Sequence, residues 1–252
     1  MRLSATLLTV VPLRGPVTEP SRATAAAAVA WAPAVGLLLG AVAAAVLVVA
    51  DRPLGAGPLT AAGLAVAALA LLTRGLHLDG LADLADGLGS GQPAPRALDI
   101  MRRSDVGPFG IVTLVLTLVI QIAALAHAEG AGGGRGPAAL ITAAVTGRLA
   151  LTWACRRGVA AARPDGLGAL VAGTVRPVVA AVITLTVLAA AVSLVRTAFT
   201  LPLAVVAGLV FAYVLQRHAV RRLGGITGDV LGALIETAAT VTLVVAAMGP
   251  PA

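Results

Sequence analysis

Apolar runs recur along the whole chain, each longer than a strand or a surface helix requires. They cover about 23–49, 57–76, 107–126, 137–154, 177–195, 199–215 and 226–248. Pro and Gly punctuate the joints: Pro53, Gly55 and Pro58, then Gly130 to Gly136, then Pro164 to Gly168. The pattern predicts an all-α fold, a polytopic integral membrane helix bundle of about seven transmembrane helices. Six spans plus a re-entrant segment fit the same pattern. No internal repeat stands out, so residues 1–252 read as a single integral membrane domain. The opening MRLSATLLTVVPLRGP is apolar but cut by Pro12 and Arg14. It reads as an interfacial or re-entrant lead-in rather than a signal peptide.

Composition strengthens the membrane reading. Of 252 residues, 59% are hydrophobic and only 12% charged, and the mean hydropathy is +0.99. A soluble domain carries about twice that share of charge. Aromatics make up 2%, so the apolar mass is Ala, Val and Leu. The single cysteine, Cys155, excludes an internal disulfide and a Cys-based zinc site.

The charges divide by side. All 18 basic residues are Arg. Thirteen fall in the N-terminal segment and the second, fourth and sixth connections, against three (Arg52, Arg135 and Arg196) in the others. Arg74 and Arg148 lie in or beside spans. The asymmetry predicts a cytoplasmic N-terminus and a cell (inner) membrane location. A net charge of +7 would suggest nucleic acid on a soluble protein. Here the positive-inside rule accounts for it, and the expected partner is the lipid bilayer, with no nucleic acid. Asp79, Asp83, Asp86, Asp99, Asp105, Asp165 and Asp229 share the Arg-rich side, so the polar chemistry is expected to face the cytoplasm.

Three motifs carry candidate chemistry. In RGLHLDGLADLADGLGSG (residues 74–91), Asp79, Asp83 and Asp86 stand at i, i+4 and i+7. If the second helix runs on past Leu76, they share one face within roughly 60° and spread over about 10 Å. Acids beside an apolar span need water, a metal ion or basic partners. Hard carboxylate oxygens suit Mg²⁺, which takes one or two carboxylates and keeps its other positions for water and phosphate. A solvated polar helix end is the plainer alternative. In GGITGDVLGALIET (residues 224–237), Asp229 and Glu236 are again i and i+7. Thr227 adds a hydroxyl. A favourable acid at a helix start explains Asp229 equally well, but not Glu236 two turns inside a span. In RALDIMRRSDVGPFG (residues 96–110), Arg102, Arg103 and Ser104 beside Gly107 and Gly110 can receive phosphate. A loop obeying the positive-inside rule is the alternative.

Together, HLDGLADLADG, IMRRSDVGPFG and LGGITGDVLGALIE resemble the cobalamin synthase family, the adenosylcobinamide-GDP ribazoletransferases. The similarity covers most of the chain, including TVVPLRGP. There are departures: Arg103 stands where family members often have Asp, with an acid instead at Asp105, and Phe109 stands where His or Tyr is common. The resemblance implies a Mg²⁺-dependent phosphotransferase in the last stage of cobalamin biosynthesis. Its substrates would be adenosylcobinamide-GDP and α-ribazole or its 5′-phosphate, and GMP would leave. Asp79, Asp83 and Asp86 would bind metal, and Asp229 or Glu236 would complete the shell or orient the nucleophile. Arg102, Ser104, Arg148 and Thr227 would contact substrate, with His77 in a supporting role. A CDP-alcohol phosphotransferase is disfavoured because DGLADLADG lacks that family's Ala-Arg after DG. A transporter would place acids near the middle of several spans, whereas these crowd one membrane face.

Overall fold

In a computed structural model of the chain, residues 21–194 and 200–248 are described. The lead-in at residues 1–16 and the expected boundaries at Val195 and Phe199 lie outside them. The described residues form eleven helices and no strand, only two isolated bridges. They are α1 (Arg22–Ala30), α2 (Ala32–Asp51), α3 (Pro58–Leu72), α4 (Leu76–Gly89), α5 (Ala94–Ile100) and α6 (Pro108–Gly130). Next come α7 (Arg135–Ala154), α8 (Gly166–Val171), α9 (Pro177–Leu194), α10 (Thr200–Leu223) and α11 (Gly228–Ala247).

This is a polytopic helical membrane bundle, and each expected span falls on one helix except the first, which falls on two, α1 and α2. Four helices, α2, α6, α10 and α11, are long and apolar enough to cross a membrane, and five segments qualify if α3 and α4 count as one bent span. The count of seven is therefore not established. α7 is less apolar than these four for a reason: it is the most enclosed long helix, with Thr142, Thr146, Arg148 and Thr152 all buried. A helix wrapped in protein can carry polar groups that lipid would penalise. The lipid-facing helices expose Leu37, Leu38, Ile111, Val115, Val182 and Val210 instead.

Two expected spans are broken, each at a local backbone constraint. The first divides at Trp31 because Pro33 has no N–H for the Val29 carbonyl. The Thr152 hydroxyl donates to that carbonyl at 3.1 Å. The second ends at Leu72 and does not run on into the acidic motif. Arg74 and Gly75 both take left-handed dihedrals, φ 57° and 67°, and α4 leaves at 88° to α3. If α3 crosses the membrane, α4 lies roughly in its plane.

Small residues set the closest helix contacts. A Cβ on Gly36 would stand 2.6 Å from the Ala144 carbonyl oxygen, and one on Gly40 would stand 3.0 Å from Ile141 Cα. The four-residue spacing is that of small-residue helix seams in membranes, and it seats α2 on α7. α4 meets α11 in the same way. A Cβ on Gly80 would stand 2.8 Å from the Asp229 carbonyl oxygen, and one on Gly232 would stand 3.2 Å from His77 Cα. The partner of the last helix is thus α4, after the break, rather than the α3 part of the expected second span. The connection from α7 to α9 is threaded onto the entry to α11, where Ile226 N–H donates to the Ala160 carbonyl (2.9 Å) and Ala162 N–H to the Ile226 carbonyl (3.0 Å).

Gly80→Ala is expected to destabilise the protein by about 1–3 kcal/mol through overpacking. Gly63 has nothing within 4 Å of its would-be Cβ, so Gly63→Ala should stabilise α3 by about 0.5–1 kcal/mol. Thermal unfolding in detergent reads both. Equal midpoints for the two variants would refute the tight α4–α11 crossing.

Candidate active site

α4 carries three carboxylates whose surroundings differ. Asp86 is buried and engaged through both oxygens: its Oδ2 accepts from Gly107 N–H at 2.7 Å and its Oδ1 from Gly110 N–H at 2.9 Å. These donors open α6, whose first turn has no internal partners for them. Asp86 therefore caps a second helix, with its charge at the positive end of the helix dipole. The glycines are required by space, since any Cβ at either position would stand 2.5 Å from a carboxylate oxygen. Asp83, one turn earlier, is half-buried. Burial, then the charges of Asp79, Asp229 and Asp86, push its carboxyl up to about 7, against an opposing pull from Arg163.

The fourth acid comes from α11. Thr227 is the N-cap of that helix; its hydroxyl accepts from Val230 N–H at 3.2 Å and donates to Asp229 Oδ2 at 3.2 Å. The tight contact of Gly80 against the Asp229 backbone brings this carboxylate to the α4 acids. Arg163 Nη1 lies 3.9 Å from Asp229 Oδ2, its Nη2 donates to the Leu98 carbonyl, and its buried Nε has no partner. Beside the cluster opens a cavity of about 230 Å³ lined by Asp83, Asp86, Ser90, Arg103, Asp105 and Phe109.

Glu236 and Arg148 occupy a different place. Glu236 Oε2 accepts from Gln121 at 2.9 Å, and its Oε1 lies 3.9 Å from His77 Nδ1. Arg148 Nη2 reaches the same His77 nitrogen at 3.4 Å, while its buried Nε is unpartnered. Arg148, Glu236 and Gln121 line a small cavity of about 40 Å³ between α3, α6, α7 and α11, separate from the one at Asp83. Arg102 faces outward, its Nη2 donating to both carboxylate oxygens of Asp165, at 3.0 and 3.1 Å. Ser104 is exposed in the same loop.

Sequence reasoning did not single out Arg163 or Gln121. Gln121 had a signal, as a lone amide in the most apolar of environments. Arg163 had none, because only the threading of residues 160–162 onto Ile226 brings it to Asp229. Arg103 and Asp105, where the chain departs from the family pattern, line the cavity at Asp83.

The donor set suits Mg²⁺. The charges of Asp79, Asp86 and Asp229 all act on Asp83, all these donors are hard oxygens, and their mutual repulsion is what a divalent cation would relieve. Among the described residues, no three of His, Cys, Asp and Glu stand closely enough to enclose one ion. An ion here would use one or two carboxylates and complete its shell with water and phosphate, as Mg²⁺ commonly does.

Comparison with known proteins gives a consistent result. The family model described as cobalamin-5-phosphate synthase matches residues 1–247. The chain is 46% identical to the adenosylcobinamide-GDP ribazoletransferase of Frankia casuarinae, covering 99% of this chain and 95% of that protein. It is 40% identical to the protein of the same name from a Nocardioides species (96% and 95% covered) and 39% identical to that of Bradyrhizobium diazoefficiens (98% and 92%). No solved structure matches the chain.

The raised Asp83 carboxyl has a consequence for stability. Folding favours its neutral form, so this contribution is fully present below the ordinary value of 3.8 and is lost as pH rises through about 7. In EDTA, the thermal midpoint of the wild type should fall between about pH 4 and pH 7, and that of Asp83→Asn should fall less. Parallel profiles would show that Asp83 does not feel its acidic neighbours.

Proposed function

Because the chain belongs to the cobalamin-5-phosphate synthase family, we propose that it is a membrane transferase that moves the adenosylcobinamide-phosphate group. The donor is adenosylcobinamide-GDP, the acceptor α-ribazole or its 5′-phosphate, and the products are GMP and adenosylcobalamin or its 5′-phosphate. The observation that carries the chemistry is the convergence of Asp79, Asp83, Asp86 and Asp229 at the α4–α11 crossing.

The acceptor hydroxyl oxygen bonds to the cobinamide-bearing phosphorus. The anhydride bond to the second phosphorus breaks, and GMP leaves with its electron pair. Little covalent help from protein is needed; positioning and charge compensation dominate. Mg²⁺ held by one or two of Asp79, Asp83 and Asp86, with water and phosphate oxygens completing its shell, would supply the positive charge that a diphosphate demands. Asp86 can take part while capping α6, because each carboxylate oxygen accepts more than one partner. Asp229, fixed by Thr227, orients the acceptor hydroxyl and receives its proton. Arg103 and Arg163 lie where the cavity and cluster can receive phosphate oxygens. Glu236 and Arg148 act through His77, holding α4 in place from beneath. Arg102 is left to tie the α5–α6 loop to Asp165.

The Arg-rich side is assigned to the cytoplasm of the cell membrane, where nucleotides are found. Labelling of single cysteines placed after residues 91 and 223 should report cytoplasm at both positions. A periplasmic result at either would overturn the assignment.

Purified protein given adenosylcobinamide-GDP, α-ribazole and Mg²⁺ should release GMP and a cobalamin, and EDTA should stop the reaction. Asp83→Asn should lower kcat by about 100-fold or more, with the fold retained. Wild-type turnover in both Asp83→Asn and Asp86→Asn would sink the metal assignment.

A further inference from the structure

A groove of about 400 Å³ runs between α7, α9 and α10, and none of the acids of the proposed site lines it. Its body is apolar, made by Val206, Leu209 and Val210. Val206 and Val210 are among the exposed apolar side chains of α10, so this wall belongs to the lipid-facing surface. Its mouth is different in kind: Trp153, Arg156, Tyr213 and Gln216 stand there together. Both flanking helices are at their Arg-rich ends at this point.

The mouth is built, with its polar groups held in place. Arg156 Nη1 donates to the Trp153 carbonyl and to Gln216 Oε1, both at 3.0 Å. Gln216 is buried and donates in turn to the Ala154 carbonyl at 3.0 Å. Trp153 Nε1 donates to Thr184 Oγ1 at 2.9 Å. The Arg156 guanidinium lies 5.4 Å from the Tyr213 ring centre; that of Arg217 lies 5.9 Å from it and donates to the Tyr213 hydroxyl at 3.2 Å. Among the described residues, neither Arg has a carboxylate within 4.0 Å. Two cations without an anionic partner thus stand at the end of an apolar channel.

We propose that this groove binds one anionic glycerophospholipid, its headgroup phosphate on Arg156 and Arg217 and an acyl chain along Val206, Leu209 and Val210. The charge selects an anion over a choline headgroup. The apolar body selects a ligand with a hydrocarbon chain over free phosphate, which would leave that wall wet. Trp153 and Tyr213 at the mouth are the side-chain types that favour the membrane–water boundary. The anionic cytoplasmic leaflet would supply the lipid directly to an Arg-rich end.

The test uses full-length protein in detergent doped with phosphatidylglycerol or phosphatidylcholine of identical chains, with bound lipid counted by native mass spectrometry. Phosphatidylglycerol should be retained in preference, and only it should raise the thermal midpoint. Arg156→Gln and Arg217→Gln should each reduce retention by about fivefold. Arg217 is exposed, so Arg217→Gln carries the test if Arg156→Gln does not fold. Equal retention of the two lipids, or wild-type retention in the variants, would overturn the proposal. So would inorganic phosphate alone reproducing the thermal shift.

Discussion

Everything at the candidate site depends on how closely α4 approaches α11. Carboxylates repel one another and lose hydration at a cost, so four of them gather only where the backbone forces them together. Glycine supplies that force by omission. Gly80 lets α4 rest on the Asp229 backbone, and Gly232 lets α11 rest on His77. With any larger residue the helices would stand apart, and Asp229 would leave the neighbourhood of Asp83. The approach also requires α4 to leave the direction of α3. Two consecutive left-handed residues, Arg74 and Gly75, turn it, and Asp86 then fastens its far end to the first turn of α6.

The polar groups sort into two systems with opposite requirements. At the α4–α11 crossing, Asp79 is exposed and Asp83 and Asp229 are only partly shielded, and their excess negative charge is left for a cation or substrate to balance. Beneath it, His77, Gln121, Arg148 and Glu236 lie among packed helices, where each must find a partner within the protein. They find one another across α4, α6, α7 and α11. The inner system therefore joins the helices that carry the outer one. The same rule governs the small bonds of the bundle: Thr152 answers the carbonyl that Pro33 abandons on α1.

The sequence by itself determined the membrane class, the places of the long helices and the spacing of the acids along each helix. These are local properties: hydrophobic runs are set by bilayer thickness, and i, i+4, i+7 spacing is set by helical pitch. It put Asp229 and Glu236 on one helix face and expected both at one site, whereas Glu236 stands two turns deeper, in a separate cavity with Arg148 and Gln121. What it could not determine was which acids share a cavity, because that depends on the 88° turn after Leu72, and the dihedrals of two residues decide that turn. Nor could it place Arg163, which reaches Asp229 only because the α7–α9 connection is stitched to Ile226. Nothing in its own neighbourhood marks such a residue. Only tertiary structure sent Arg102 outward to Asp165 and drew Arg103 to the cavity at Asp83. Spacing along a helix fixes direction relative to that helix alone; partners on other helices are fixed by packing, which follows from the whole set of close contacts at once.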